Sequence, residues 1–120
     1  MIKQVIVMRK DLKMRRGKEI AQGAHAAMSF LVKRLDTPAE LSPAQREWIA
    51  GQFTKITLQI GSEAELRALI EKAQLAGLEV HAITDSGRTE FAGVPTLTCC
   101  AIGPDEAEKI DAVTGGLSLY

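Results

Sequence analysis

The chain is poor in the residues that build metal centres and crosslinks, with two cysteines and two histidines among 120 residues. Cys99 and Cys100 are adjacent, and neighbours in a strand point to opposite faces, so they are not placed to pair or to chelate together. We read both as reduced packing residues. His25 and His81 stand at no ligand-like spacing, and no dinucleotide motif is present, so neither a metal nor an organic cofactor is expected. Long apolar runs are also missing. The opening MIKQVIVMRK puts charge on both sides of a strand-length segment, which argues against a signal peptide or a membrane span and for a cytoplasmic protein. No repeat or linker interrupts the chain, and 46% hydrophobic with 25% charged residues suits one domain over 1–120. Net charge is zero, which on its face speaks against a nucleic-acid partner.

The distribution of that charge says otherwise. Residues 1–34 hold nine basic side chains against two acidic ones, and the remainder holds six against thirteen, so the two parts carry about +7 and −7. Six of the nine cations, among them Lys10, Lys13, Arg15, Arg16 and Lys18, fall within residues 9–18. Such a cluster can neutralise the phosphates of a nucleic acid without a basic protein overall. It can equally be a solvated loop.

Periodicity predicts alternating strands and helices. A β-branched strand over Ile2–Met8 leads through the basic loop Arg9–Gly17 into a helix from Lys18 to Leu35. On that helix Ile20, Ala24, Ala27, Met28, Leu31 and Leu35 form one apolar stripe, which we expect to be buried, while Lys18, Gln22, His25 and Ser29 share another edge. Ser42-Pro43-Ala44-Gln45 is a capping box opening a short helix with Trp48. A strand over Thr54–Ile60 follows, then a helix capped by Ser62 and ended by Gly77, strands over Leu78–Thr84 and Thr96–Ile102, and a last helix after Gly103-Pro104. The order βααβαββα implies an α/β fold, a small four-stranded mixed β-sheet with helices on both faces. If the first and third strands run parallel, the basic loop and the loop Asp85–Pro95 emerge at the same end of the sheet.

These two segments carry a family resemblance. Residues 7–27, VMRKDLKMRRGKEIAQGAHAA, and residues 84–89, TDSGRT, with AIGP at 101–104 and VTGGLSLY at the end, resemble the type-2 peptidyl-tRNA hydrolases of archaeal and eukaryotic type over nearly the whole chain. The resemblance implies an esterase that frees tRNA from a peptide, with peptidyl-tRNA as substrate and a homodimer as assembly. Its functional positions fall on Lys18, Gln22, Asp85, Thr89 and Thr98. Ester hydrolysis needs a positioned water, a stabilised oxyanion and help for a leaving alkoxide, and this set can supply them. No nucleophile elbow is evident, which favours direct attack by water. Asp85 and Lys18 can also be read as a plain salt bridge shaping the pocket.

Other residues are read from their setting. His25, among alanines on a helix, is expected to be a hydrogen-bonded packing residue at the pocket's edge, and His81 is expected to be structural. Arg88 could clamp a phosphate or brace its own turn. The chain departs from the family pattern at Arg15, where relatives commonly have glycine and where a positive φ would cost an arginine energy. It departs again at AGVPTLTCC, one residue longer before the last strand, which makes Thr96 a competitor for the place of Thr98. An altered member that only binds RNA phosphates, or a hydrolase or transferase on another small ester or amide, are the alternative functions.

Overall fold

A computed structural model describes residues 1–120. Its elements are strand β1 (Ile2–Arg9), helix α1 (Arg16–Val32), helix α2 (Pro43–Ala50), strand β2 (Lys55–Ile60), helix α3 (Glu63–Leu75), strand β3 (Val80–Asp85), strand β4 (Thr96–Glu106) and helix α4 (Ala107–Thr114). The sheet order is β2-β1-β4-β3. β1 pairs with β2 in parallel, while β4 runs antiparallel to both β1 and β3. β1 and β3 therefore point the same way, and the loops after them leave one end of the sheet.

Two apolar layers flank the sheet, and alternation along the strands sorts residues between them. Val5 and Val7 face α3 and α4 with Leu66, Leu69, Ala73, Ile110 and Val113. Ile6 and Met8 face α1 with Ala26, Ile83 and Met14. Adjacent Cys100 and Cys99 fall into the first and second layers respectively, and burial pushes their thiols up to about 12 and about 11. Both are free and fully buried packing residues. α2 starts on the expected box, with the Gln45 N–H donating to Ser42 Oγ and the Ser42 N–H donating to the Gln45 side chain. Trp48 packs edge-on against Phe30 at 5.6 Å and donates its indole N–H to the Thr54 carbonyl.

Three local expectations fail for physical reasons. The first concerns the apolar stripe of α1, most of which faces outward: Ile20 is 65% exposed and Met28 57%, and only Ala27 and Leu31 are partly buried. The buried face is Gln22, Gly23, Ala26 and Phe30. Gly23 faces the sheet at ordinary packing distance, where an added Cβ would sit 3.6 Å from Met8 and 3.7 Å from Ile6. Next, β4 continues past Gly103-Pro104 to Glu106, pairing with the start of β1 across a register shift. Gly103, at φ +90°, makes that possible, because a Cβ would meet Asp105 N at 2.8 Å and Lys3 O at 3.0 Å. Last, Arg15 is extended at φ −60°, so the backbone cost expected there does not arise; the positive φ of the loop belongs to Lys13.

Candidate active site

The site forms where the first turn of α1 meets the end of β3. Lys18 Nζ donates to Asp85 Oδ1 at 2.7 Å and to Thr89 Oγ1 at 2.8 Å. The Gly87 N–H donates to Asp85 Oδ2 at 2.9 Å. Gln22 Nε2 lies 3.4 Å from Asp85 Oδ1, and its Oε1 accepts the Thr98 hydroxyl at 2.5 Å. A carboxylate only accepts, which fixes the orientation of the Gln22 amide between the two. Five side chains from three segments thus form one connected network.

The local backbone explains how each arrives. Asp85 ends β3, and Gly87 turns the chain at φ +82°, where a Cβ would stand 2.5 Å from the Val94 carbonyl. No other residue suits that turn. Thr98 is delivered by a bulge: Ile83 pairs with Cys99 but Thr84 with Leu97, leaving Thr98 as the extra residue of β4. In a regular strand Thr98 and Cys99 would face opposite ways. Here Thr98 Oγ1 reaches the Gln22 side chain while Cys99 Sγ reaches the Gln22 carbonyl. Thr96, the competing threonine, pairs with Asp85 along the strand, but its hydroxyl donates to Val94 O and not to the network.

Electrostatics follow from these contacts. The hydrogen bond from Lys18 holds the Asp85 carboxyl below its ordinary range against partial burial, helped by the Gly87 N–H. Lys18 keeps one of its three donors uncommitted, and Thr89, whose oxygen accepts from Lys18, keeps its own proton to donate. Asp85 uses three of about four acceptor sites. The network can therefore take a water, an oxyanion and a leaving oxygen together.

The basic loop divides in two. Arg9 turns inward, donating to Asp11 at 3.1 and 2.7 Å and to the Leu97 carbonyl at 2.9 Å. Lys10, Lys13 and Arg16 remain exposed, and Arg15 is 88% exposed with Glu90 at 3.6 Å. Arg88 is exposed on the neighbouring turn and makes no ion pair. His25 corrects the expectation made of it: it is exposed, and its ring makes no hydrogen bond, because it lies off the buried face of α1 formed by Gln22, Gly23, Ala26 and Phe30. His81 instead bonds to Glu79 at 2.5 Å.

Residues 2–120 match the family described as Peptidyl-tRNA hydrolase PTH2. The chain belongs to the PTH2 family. Proteins named peptidyl-tRNA hydrolase from Haloquadratum walsbyi, Methanocaldococcus jannaschii and Nanoarchaeum equitans are 42%, 40% and 41% identical to this PTH2 chain. The matches cover 99%, 98% and 100% of it and 100%, 99% and 100% of those proteins. A solved structure of a protein of unknown function from Agrobacterium tumefaciens C58 shares the fold, with TM-score 0.59 and 14% identity over 98% of this chain and 96% of that one.

Two supports of the site in this PTH2 chain escape a reading of its sequence. Arg9 groups there with the phosphate-facing cations, although Asp11 two residues on is a signal for a self-braced loop. Glu90 brings the Asp85 loop within 3.6 Å of exposed Arg15 on the basic loop and carries no local signal at all. On the other flank of α1, facing β2, lies an open groove of about 370 Å³ whose walls include Ile6, Met8, Ile20, Ala24 and Ala27. It contains no part of the Lys18–Asp85 network.

Proposed function

We propose that this chain hydrolyses the ester joining a peptide, or an N-blocked amino acid, to the terminal ribose of tRNA. The observation that carries the reading is the Lys18–Asp85–Thr89 cluster beside a free basic loop, in a chain of the PTH2 family. In the reaction the water oxygen bonds to the carbonyl carbon, the bond from that carbon to the ribose oxygen breaks, and a proton ends on the leaving hydroxyl. Asp85, held ionised by Lys18, orients the water; a carboxylate of lowered pKa is a better acceptor than base. The free Lys18 donor meets the oxyanion, and the Thr89 hydroxyl stands by the leaving oxygen. Gln22, buttressed by Thr98, keeps Asp85 in place. Lys10, Lys13, Arg15, Arg16 and Arg88 contact tRNA phosphates, and His25, two helical turns beyond Lys18 on the same edge of α1, faces the substrate.

The same reading takes the protein to be a cytoplasmic homodimer, and no helix is long and apolar enough to cross a membrane. Support for the dimer comes from the outward apolar stripe of α1 and the groove beside it, which a second copy would cover. Incubating purified protein with N-acetyl-aminoacyl-tRNA should release free tRNA. No release above the uncatalysed rate would overturn the function.

A further inference from the structure

An open four-stranded sheet has two edges, and this chain treats them differently. Along β2 the carboxy-terminal residues fold back as cover: the Gln59 N–H donates to the Ser118 carbonyl and the Tyr120 N–H to the Thr57 carbonyl, each at 3.0 Å, and Leu58 bridges to Leu119. The Tyr120 hydroxyl then reaches across to Glu19 on α1. That edge is closed. Along β3 the only neighbour is β4, so the outer side of Val80–Asp85 has no partner strand.

The ladder identifies the groups left over. The Gly103 N–H donates to the Glu79 carbonyl at 2.9 Å, and bonded pairs alternate in an antiparallel ladder. His81 and Ile83 therefore bond toward β4, whereas Val80 and Ala82 direct their N–H and C=O groups outward. Exposed edges are ordinarily blunted by lysine, proline, other charges or a bulge. The segment VHAITD has no lysine or proline, and its charge at Asp85 and the bulge at Ile83/Thr84 both lie beyond Val80 and Ala82.

This open edge ends at the candidate site. Asp85 is its last residue, and α1 runs alongside it in the opposite direction, from Lys18 at Asp85 to Arg34, which donates to Glu79 at 2.8 Å. With the scissile carbonyl at Lys18 and Asp85, and tRNA on the basic loop, α1 closes the way across the sheet and the β3 edge leaves a way out. We infer that the peptide part of the substrate lies on this edge as an added strand parallel to β3, its carboxyl end at Asp85, bound by main-chain hydrogen bonds to Val80 and Ala82. The inference rests on the ester-hydrolase reading and adds to it the subsite for the peptide. Its chemistry suits a substrate whose side chains vary without limit, because strand addition reads the backbone that all peptides share. Six residues of strand span about 20 Å, enough for roughly four or five peptide residues. His25 and Ser29 follow Lys18 at helical spacing on that side of α1 and would flank the track.

The test compares tRNAs carrying an N-acetyl-amino acid or peptides of two to six residues, with and without N-methylation of single peptide amides. kcat/KM should rise over the first four or so residues and then level off. N-methylation should lower it about 3- to 10-fold, the worth of one main-chain hydrogen bond, at alternate amides only. Ala82→Pro, which removes one outward N–H, should bring the ratio of pentapeptidyl to N-acetyl-aminoacyl turnover toward one; circular dichroism checks its fold, and if it misfolds the methylation scan decides alone. No gain with length, or loss without alternation, overturns the subsite while hydrolysis stands. Absence of hydrolysis on every substrate overturns the function and the subsite with it. If Ala82→Pro turns a dimer into monomers and leaves the ratio unaltered, the edge belongs to a second copy and the inference falls.

Discussion

At the scale of single residues, Lys18 and Asp85 meet from positions 67 apart in sequence, and their side chains are only 16% and 10% exposed. If they act on the transition state, Lys18→Met and Asp85→Asn should each lower kcat by ~10²–10⁴ with little change in KM. Circular dichroism should show both folded, and the double variant should lose far less than the product of the singles. Loss of activity only in proportion to unfolded protein would return the pair to a structural salt bridge. A second carboxylate bears on stability. Burial alone would raise Glu79, but Arg34, His81 and Gln45 bond to it and bring its carboxyl below the ordinary value. A depressed carboxyl stabilises the fold above its unfolded pKa of about 4.3 and loses that contribution as pH falls through the lower folded value. Thermal unfolding should therefore show Tm dropping in this acid range, and Glu79→Gln should lower Tm at pH 7 while flattening the acid decline. Parallel curves for the two proteins would refute the role.

At the scale of elements, the basic loop works as a braced hairpin of charge. Arg9 spends its donors on Asp11 and Leu97, while Lys10, Lys13 and Arg16 are exposed without an ion pair and Arg15 is exposed beside Glu90, so these four are the cations that the proposed function assigns to phosphate. Replacing any two with alanine should raise KM more than it lowers kcat. The slope of log affinity against log salt should flatten by about 1 for each phosphate that is no longer neutralised. An unchanged slope, measured by titration with labelled tRNA, would remove the loop from the binding surface. Helix α1 shows why this loop and the Asp85 turn can cooperate: its first turn carries Lys18 to β3 while Arg34, just past its last turn, clamps Glu79 at the other end of that strand. Both ends of the helix are thus pinned to the same strand.

At the scale of the molecule, one face of α1 is unfinished. Ile20 and Met28 are more than half exposed, and Ile6, Met8 and Ala24 line the groove next to them. A second copy seated there would remove this apolar surface from water, which is the largest favourable term available to a 120-residue chain. Sedimentation equilibrium should find a dimer, and Ile20→Asp with Met28→Asp should yield a folded monomer, since neither side chain supports the core. A wild-type monomer at micromolar concentration would dismiss the assembly.

The amino-acid sequence by itself determined the order of strands and helices, the Ser42 and Ser62 caps, and the opposed faces of Cys99 and Cys100. Each of these depends on interactions within a few residues or on a simple alternation, so local pattern suffices. Tertiary structure alone decided which stripe of α1 is buried. Hydrophobicity favoured Ile20 and Met28, yet Gln22 is inside because Asp85 and Thr98 satisfy its amide. The same holds for Thr98, whose direction is set by a bulge against β3, and for Arg9, whose charge is met by Asp11 and by a carbonyl 88 residues away. Polar groups go where partners await them, and those partners come together only when distant strands pair.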